Sequence, residues 1–317
     1  PALARLLQDP ETLGLACLAF GNRPSAQADQ ALRAALPAAR GQGRLQIIST
    51  LGNRRDTKAV KPLTKLARDA DATVAEAAIR ALGKIANKPA SKVITALRKE
   101  ANPAFQRALA DASLRCAAQL AESGKMKAAA AICEELVATS QPANVRRGAF
   151  HALTRLDKDG GEQRILQTLR SSDALLKPVA IAAVRSLRSE TASKTFVREL
   201  PGLTSEEKVW MIESLAARAD APARAAIIGT LESSDASVRR AAAAALGHIG
   251  GATAVRPLAK AIATAKDGDE VRELVSALGS LPADRDTDNA IVTEIKNAQG
   301  ETRARLISSR SARGVGP

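Results

Sequence analysis

Apolar and polar positions recur along this chain at helical spacing, and one stretch sets out the pattern almost completely. In Asp235–Leu258, DASVRRAAAAALGHIGGATAVRPL, the residues Ala241, Ala244, Ala245, Leu246 and Ile249 predict one small-residue, apolar helix face. Asp235 stands where an N-cap belongs, with Val238 opening the apolar stripe. Gly250-Gly251 then breaks the helix, and Ala254, Val255 and Leu258 begin a second one. The stretch predicts a helical hairpin.

The hairpin repeats. Phe20, Leu51, Leu82, Leu120, Leu153, Val184, Leu215, Leu246 and Leu278 take equivalent places, at steps of 31, 31, 38, 33, 31, 31, 31 and 32 residues. Gly21, Gly52, Gly83, Gly247 and Gly279 each follow their anchor directly. A glycine inside a helix costs about 1 kcal/mol against alanine, so its recurrence predicts a close approach by a neighbouring helix. The repeats fall at about 10–39, 40–70, 71–101, 102–141, 142–172, 173–204, 205–234, 235–268 and 269–300, with a partial unit at 301–317. In the fourth, which carries the long step, both helices look extended, through ADASLRCAAQLAE and KMKAAAAICEELVAT, and a change of superhelical pitch is expected there.

Composition agrees with an all-α array. Apolar residues make up 45% of the 317 positions, yet aromatics are only 2%, and much of the apolar set is alanine. That suits closely packed helices and fits strands poorly. Cys17, Cys116 and Cys133 all lie in apolar helical stretches and read as buried small hydrophobes; a Cys116–Cys133 pairing across one hairpin is the lesser alternative. No run of 18 apolar residues exists to span a membrane.

A period of this length must be assigned among repeat families. The aromatic positions of tetratricopeptide units and the Thr-Pro-Leu-His opening of ankyrin units are both missing. What the residues resemble is the short HEAT-like repeat of the phycobilin-lyase type, Asp-x-x-Val-Arg-x-x-Ala followed by Ala-Leu-Gly-x-Ile-Gly. Asp235, Val238, Arg239, Ala242, Ala245, Leu246, Gly247, Ile249 and Gly250 carry it. Asp71, Val74, Ala78, Ala81, Leu82, Gly83 and Ile85 carry it again, with Ala75 in place of the arginine. Val145, Arg146, Ala149, Ala152 and Leu153 make a third copy. The resemblance implies a right-handed α-solenoid of about nine stacked hairpins, a single array over residues 1–317, whose second helices line the concave surface. For function it implies little, because such repeats serve scaffolds, adaptors and a few enzymes alike.

Catalysis needs a convergent nucleophile, base or metal set. The two histidines, His151 and His248, lie three repeats apart and read as helix-packed or surface imidazoles. No metal-ligand or phosphate-loop motif occurs, so no cofactor or metal is expected, and the chain reads as a non-enzyme. Asp157, Asp159, Asp284, Asp286 and Asp288 fit capping better than a calcium loop. The Val-Arg arginines, Arg146, Arg239 and Arg272, read as structural; the resemblance implies pairing with aspartates of adjacent repeats, and Asp235 and Arg239 are also spaced to pair within one helix.

Charge supplies the more informative signal. The net charge is +14, and residues 40–110 hold 15 Lys and Arg against 5 Asp and Glu. Lys58, Lys61, Lys65 and Arg68 share one face of a second helix, opposite Val60, Leu63 and Ala67. Lys88, Lys92 and Lys99 do the same one repeat on, opposite Val93, Ile94 and Leu97. Lys194 and Arg256 share the register of Lys61 and Lys92, and Arg170 that of Arg68 and Lys99. These ten basic residues form columns either on an ordinary solvated face or on a binding groove.

The binding reading is a scaffold that holds a protein partner, an acidic one, on the concave surface. The alternative is a nucleic-acid binder, of phosphate backbone or glycosylase-like, although Phe20, Phe105, Phe150, Phe196 and Trp210 lie in apolar runs suited to packing, not to base stacking. A phycobilin-lyase-like subunit is a remoter alternative resting on the repeat alone. The expectation is a monomer, placed in the cytoplasm if a compartment is chosen.

At the end of the chain, Leu306 and Ile307 have core-like spacing, while Ser309 stands where the next anchor belongs. Either the array decays into a polar half-cap, with Leu306 and Ile307 packed and Arg303, Arg305, Arg310 and Arg313 in water, or the chain is a fragment, the reading that Pro1 and the abrupt GVGP end favour.

Overall fold

The computed structural model describes residues 6, 7, 9, 11–21, 25–100, 102–156, 160–189 and 191–312. It is an all-α solenoid with nineteen α-helices among those residues, and it divides into two compact units, residues 1–157 and 158–317. The readings placed on Asp157, Asp159, Pro1 and Arg313 fall outside the described residues.

The first unit stacks four hairpins and one further helix. Its helices are α1 (Leu13–Gly21), α2 (Ala26–Ala35), α3 (Gly41–Asn53), α4 (Val60–Leu66), α5 (Ala72–Ile85), α6 (Lys88–Lys99), α7 (Gln106–Glu122), α8 (Met126–Val137) and α9 (Ala143–Leu156). The first helices α1, α3, α5 and α7 pack side by side, with α2 lying on α3, α4 on α5, α6 on both α5 and α7, and α8 on α7. Short polar side chains cap α5 and α6: Asp71 Oδ1 accepts from Thr73 N at 2.8 Å, and Asn87 Oδ1 from Ala90 N at 2.9 Å.

The core repeats with the stack. Ile48, Leu51, Ile79 and Leu82 are fully shielded, and Ala110 and Ser113 follow at the same step of 31 residues. Here the structure corrects the fourth anchor: it is Ser113, and Leu120 is only half-buried. Leu120 lies two helical turns further along the same face, so the step of 38 was one repeat of 31 plus seven residues. Leucine looks like an anchor and serine does not, but Ser113 tolerates the core because its Oγ donates to Leu109 O at 2.7 Å.

The glycines explain why that register wins. A Cβ on Gly52 would come within 2.7 Å of Ala81 Cα, and one on Gly83 within 2.7 Å of Ala112 Cα. α3 thus meets α5, and α5 meets α7, at glycine against alanine, one residue beyond the anchor. Gly21, at the end of α1, has nothing within 4 Å of where its Cβ would lie. Another side of α7 faces elsewhere: Ala110 and Ala117 join Cys133 and Leu136 of α8 and Val145, Ala149 and Leu153 of α9 in a second, smaller core.

The second unit begins with α10 (Gly161–Leu169) and continues as hairpins α11 (Lys177–Ala183) and α12 (Ala192–Val197), α13 (Ser205–Ala216) and α14 (Ala221–Thr230), α15 (Ala236–Ile249) and α16 (Ala252–Thr264), and α17 (Gly268–Ser280) and α18 (Arg285–Asn297), closed by α19 (Gly300–Ala312). Asp235 caps α15, with its Oδ1 accepting from Ser237 N at 2.8 Å. The buried face of α15 is Val238, Ala242, Ala243, Leu246 and Gly247, while Ala244 is exposed. This corrects the face predicted from Ala241, Ala244 and Ala245. Five consecutive alanines leave the phase open, and the neighbours α13 and α17 decide it.

Arg239 does not pair with Asp235. Its guanidinium forks onto Glu270 of the next repeat, Nε to Oε1 at 2.5 Å and Nη2 to Oε2 at 2.8 Å, and Nη1 donates to Ser233 O at 2.8 Å. Glu270 is 3% exposed, so this pair is sheltered. At the chain's end α19 packs on α17, with Leu306 and Ser309 buried and Ile307 on the outside. Ser309 Oγ donates to Leu306 O at 2.7 Å, and Arg305 donates to Ile262 O at 3.1 Å instead of standing in water.

Gly83→Ala should destabilise the protein by about 1–3 kcal/mol in urea unfolding, because its methyl meets backbone and the overpacking outweighs the gain in helix propensity. Gly21→Ala should be neutral or slightly stabilising; equal effects would disprove the close-contact account. Arg239→Met should cost about 2–3 kcal/mol by stranding a sheltered carboxylate. Arg272→Met should change stability by about 0.5 kcal/mol or less, since Arg272 pairs only with Asp269 at an exposed site.

Candidate functional site

All ten basic residues of the predicted columns are exposed. The apolar sides of their helices point inward as expected: Val60, Leu63 and Ala67 are buried under α4, and Ile94 and Leu97 under α6, with Val93 half-buried. The columns are not uniform, however. Arg68 is held by Glu100, and Arg170 forks onto Glu199, with Nη2 to Oε1 at 2.5 Å. Arg98 and Glu135 make a similar link at 3.1 Å, as do Lys260 and Glu232 at 2.8 Å. Every one of these pairs joins two second helices or their ends across one repeat.

The remaining column members are unmatched. Among the described residues, Lys58, Lys61, Lys65, Lys88, Lys92, Lys99, Lys194 and Arg256 have no ion-pair partner. Lys61 and Lys92 keep the spacing of one repeat on α4 and α6. Part of the local positive charge lies on the first helices instead. Lys84 of α5 donates to Asn53 Oδ1 at 2.7 Å, and burial, then Arg115 and Arg80, push its ammonium below the ordinary lysine range.

Two concavities accompany these helices. In the second unit an open groove of about 1540 Å³ runs between α14, α16 and α18 and includes Arg256. Its charges largely offset one another, since Lys260 meets Glu232 and Arg239 meets Glu270. In the first unit a smaller cleft of about 400 Å³ opens where α7 overruns its neighbours. Lys88, Lys92 and Thr95 of α6 face Leu120 near the end of α7 and Lys125 and Ala128 at the start of α8. Lys125 escaped the sequence reading because it lies in a turn, outside the repeat register; its place in KMKAAAA, just ahead of an alanine run, was the available signal.

Two further arginines escaped it. Arg54, three residues past the anchor Leu51, pairs with Asp29 and donates to the carbonyls of Phe20 and Ser25 in the preceding repeat. Arg218, three past Leu215, donates to Ser193 Oγ at 2.7 Å, Leu187 O at 2.5 Å and Ser189 O at 2.8 Å. Both guanidiniums satisfy carbonyls left over at helix ends and in the following turn. Arg146 works alike, buried with Nε donating to Val137 O at 2.9 Å. The structural reading of the Val-Arg arginines therefore holds for Arg239 through Glu270 in place of the expected aspartate, and Arg146 is held in part by the Val137 carbonyl.

Among the described residues no group of three or more His, Cys, Asp or Glu is placed to hold a metal ion, and no helix is long and apolar enough to cross a membrane. His151 and His248 are exposed. Phe20, Phe150 and Phe196 are buried, and Phe105 and Trp210 are half-buried.

A family model of HEAT repeats matches residues 30–115 and 204–279, about half of the chain. The chain belongs to the HEAT-repeat family. No curated protein matches it. Among solved structures, Kap121p bound to Pho4p is similar over 98% of this chain at 11% identity, with a TM-score of 0.53. The match spans only 45% of that chain. The complex of CpcE and CpcF of phycocyanin lyase from Nostoc matches over 82% of this chain and 97% of that one, at 18% identity and a TM-score of 0.37. Human deoxyhypusine hydroxylase matches over 77% of this chain and 93% of that one, at 17% identity and a TM-score of 0.35. The HEAT-repeat chain studied here shares the solenoid fold with the first.

Its three cysteines are free and buried. Burial, reinforced by Glu134, pushes the Cys133 thiol up to about 11. At pH 8 a thiol of that kind is about one part in a thousand thiolate. A thiol-reactive dye should therefore label the folded protein at Cys133 slowly and the urea-unfolded protein rapidly; fast labelling in both states would disprove the buried assignment.

Proposed function

We propose that this HEAT-repeat protein is a non-enzymatic scaffold that holds an acidic protein partner on the face made by its second helices. The observation that carries the reading is the set of six exposed, unmatched lysines on and beside α4 and α6, helices whose arginines Arg68 and Arg98 are by contrast paired with Glu100 and Glu135. Like charges kept free of partners along adjacent helices create a positive potential that draws an anionic surface. Kap121p, the fold relative above, is itself found bound to a protein. The protein is proposed to act as a monomer in one continuous array.

The test is a fluorescence titration against labelled polyglutamate and labelled duplex DNA at several salt concentrations. Polyglutamate should bind, with affinity falling as salt rises, and Lys61→Glu, Lys65→Glu, Lys92→Glu and Lys99→Glu together should abolish binding. Tighter binding to the duplex, with a steep salt slope reduced by about four in the quadruple variant, would replace the reading with a phosphate-backbone binder.

A further inference from the structure

The cleft at the start of α8 has depth together with unmatched charge, whereas the charges of the larger groove in the second unit largely offset one another. The cleft opens between α6, the end of α7 and the start of α8, and the Arg98–Glu135 pair ties α6 to α8 further along. What lies between is mainly apolar wall: Leu120, Ala128 and the stems of the lysines. At its rim stand Lys88, Lys92 and Lys125, all exposed and none with an ion-pair partner among the described residues. No described carboxylate lines it. The next residue along, Met126, is one of few large apolar side chains in the open, at 42% exposure.

Three ammonium groups around one small cavity repel one another, and an anionic occupant relieves that cost. An ion alone leaves the apolar wall wet, while an apolar side chain alone leaves the lysines unmatched. A volume of about 400 Å³ suits one large side chain with its neighbours, at the small end of ligand pockets.

We infer that this cleft is a specificity pocket for an acidic peptide segment, taking one aliphatic side chain between α6 and α8 while flanking carboxylates pair with Lys88, Lys92 and Lys125. The inference rests on the proposed acidic partner and adds what the lysine columns alone do not supply, a requirement for a particular kind of side chain within the acidic sequence. Charge along α4 and α6 attracts any polyanion, whereas the pocket selects among them.

The test uses the full chain and two labelled pentapeptides, one with leucine at the centre of four glutamates and one with alanine there. Fluorescence anisotropy at low ionic strength should show the leucine peptide binding about tenfold tighter or more, from burial of its side chain. Ala128→Trp, which fills the cleft from an exposed position without changing charge, should bring the leucine peptide down to the level of the alanine one. Lys125→Glu should weaken both. Circular dichroism establishes that each variant is folded. Equal binding of the two peptides, or indifference of the leucine peptide to Ala128→Trp, overturns the pocket. If Lys61→Glu and Lys65→Glu still weaken both peptides in that case, the acidic-partner reading survives the pocket's failure. Binding of neither peptide also overturns the pocket, and the polyglutamate titration then judges the broader reading separately.

Discussion

The contact of glycine against alanine between successive first helices is the constraint from which the rest of the array follows. With no Cβ at Gly52 or Gly83, the helix backbones come close enough for the next alanine to lie directly on them. That approach fixes the register at which α5 and α7 add to the stack. It also sets which residues of a first helix are enclosed, because a helix flanked on two sides and backed by its own partner has only a narrow strip left for solvent. The same contact recurs at Gly247 against Ala277 in the second unit, at a somewhat looser 3.3 Å. An aromatic-poor, alanine-rich composition is what such packing demands, since bulky side chains would hold the backbones apart.

Polar contacts then span the same interval as the apolar ones. Arg239 with Glu270, Arg170 with Glu199 and Arg68 with Glu100 each reach across one repeat. Arg54 and Arg218 reach backwards to close the turn of the repeat before. The exposed pairs contribute little to stability. Their consequence lies in what they use up: once the arginines are committed to carboxylates and carbonyls, the charge left free on the second helices of the first unit is mostly lysine. A solvated, mobile ammonium is suited to meeting an approaching anion, whereas a guanidinium forked onto a carboxylate is not.

The one irregular repeat is where surface features concentrate. With 17 residues against 14 in α5, α7 runs on past Ser113 to Glu122 and leaves the stacking contact at Ala112 untouched, so the extension falls at the junction with α8. A solenoid absorbs such an extension because each repeat is stabilised by its immediate neighbours alone. The resulting cleft combines an apolar wall with a lysine rim, while the larger groove of the second unit has its charges internally matched. Depth and unbalanced charge therefore coincide at one place in the first unit.

The sequence by itself determined the helical hairpins, their period, the alignment of Lys61 with Lys92 and the inward faces of α4 and α6. These follow from local spacing, since an amphipathic helix shows its buried side in its own residues. It also announced the close helix contact, because glycine inside a helix is costly unless a neighbour requires it. Three things were decided only by the tertiary structure. The buried phase of α15 was undetermined by five alanines that are equally able to face in or out. The anchor of the fourth repeat was Ser113 and not Leu120, because backbone contact at Ala112, not side-chain hydrophobicity, sets the register. The partners of Arg239, the arginine clamps and the cleft at Lys125 depend on residues about one repeat or more apart in the chain, brought together only by stacking. Local pattern encodes the helices; the contacts between them depend on the distance of approach, which no single helix records.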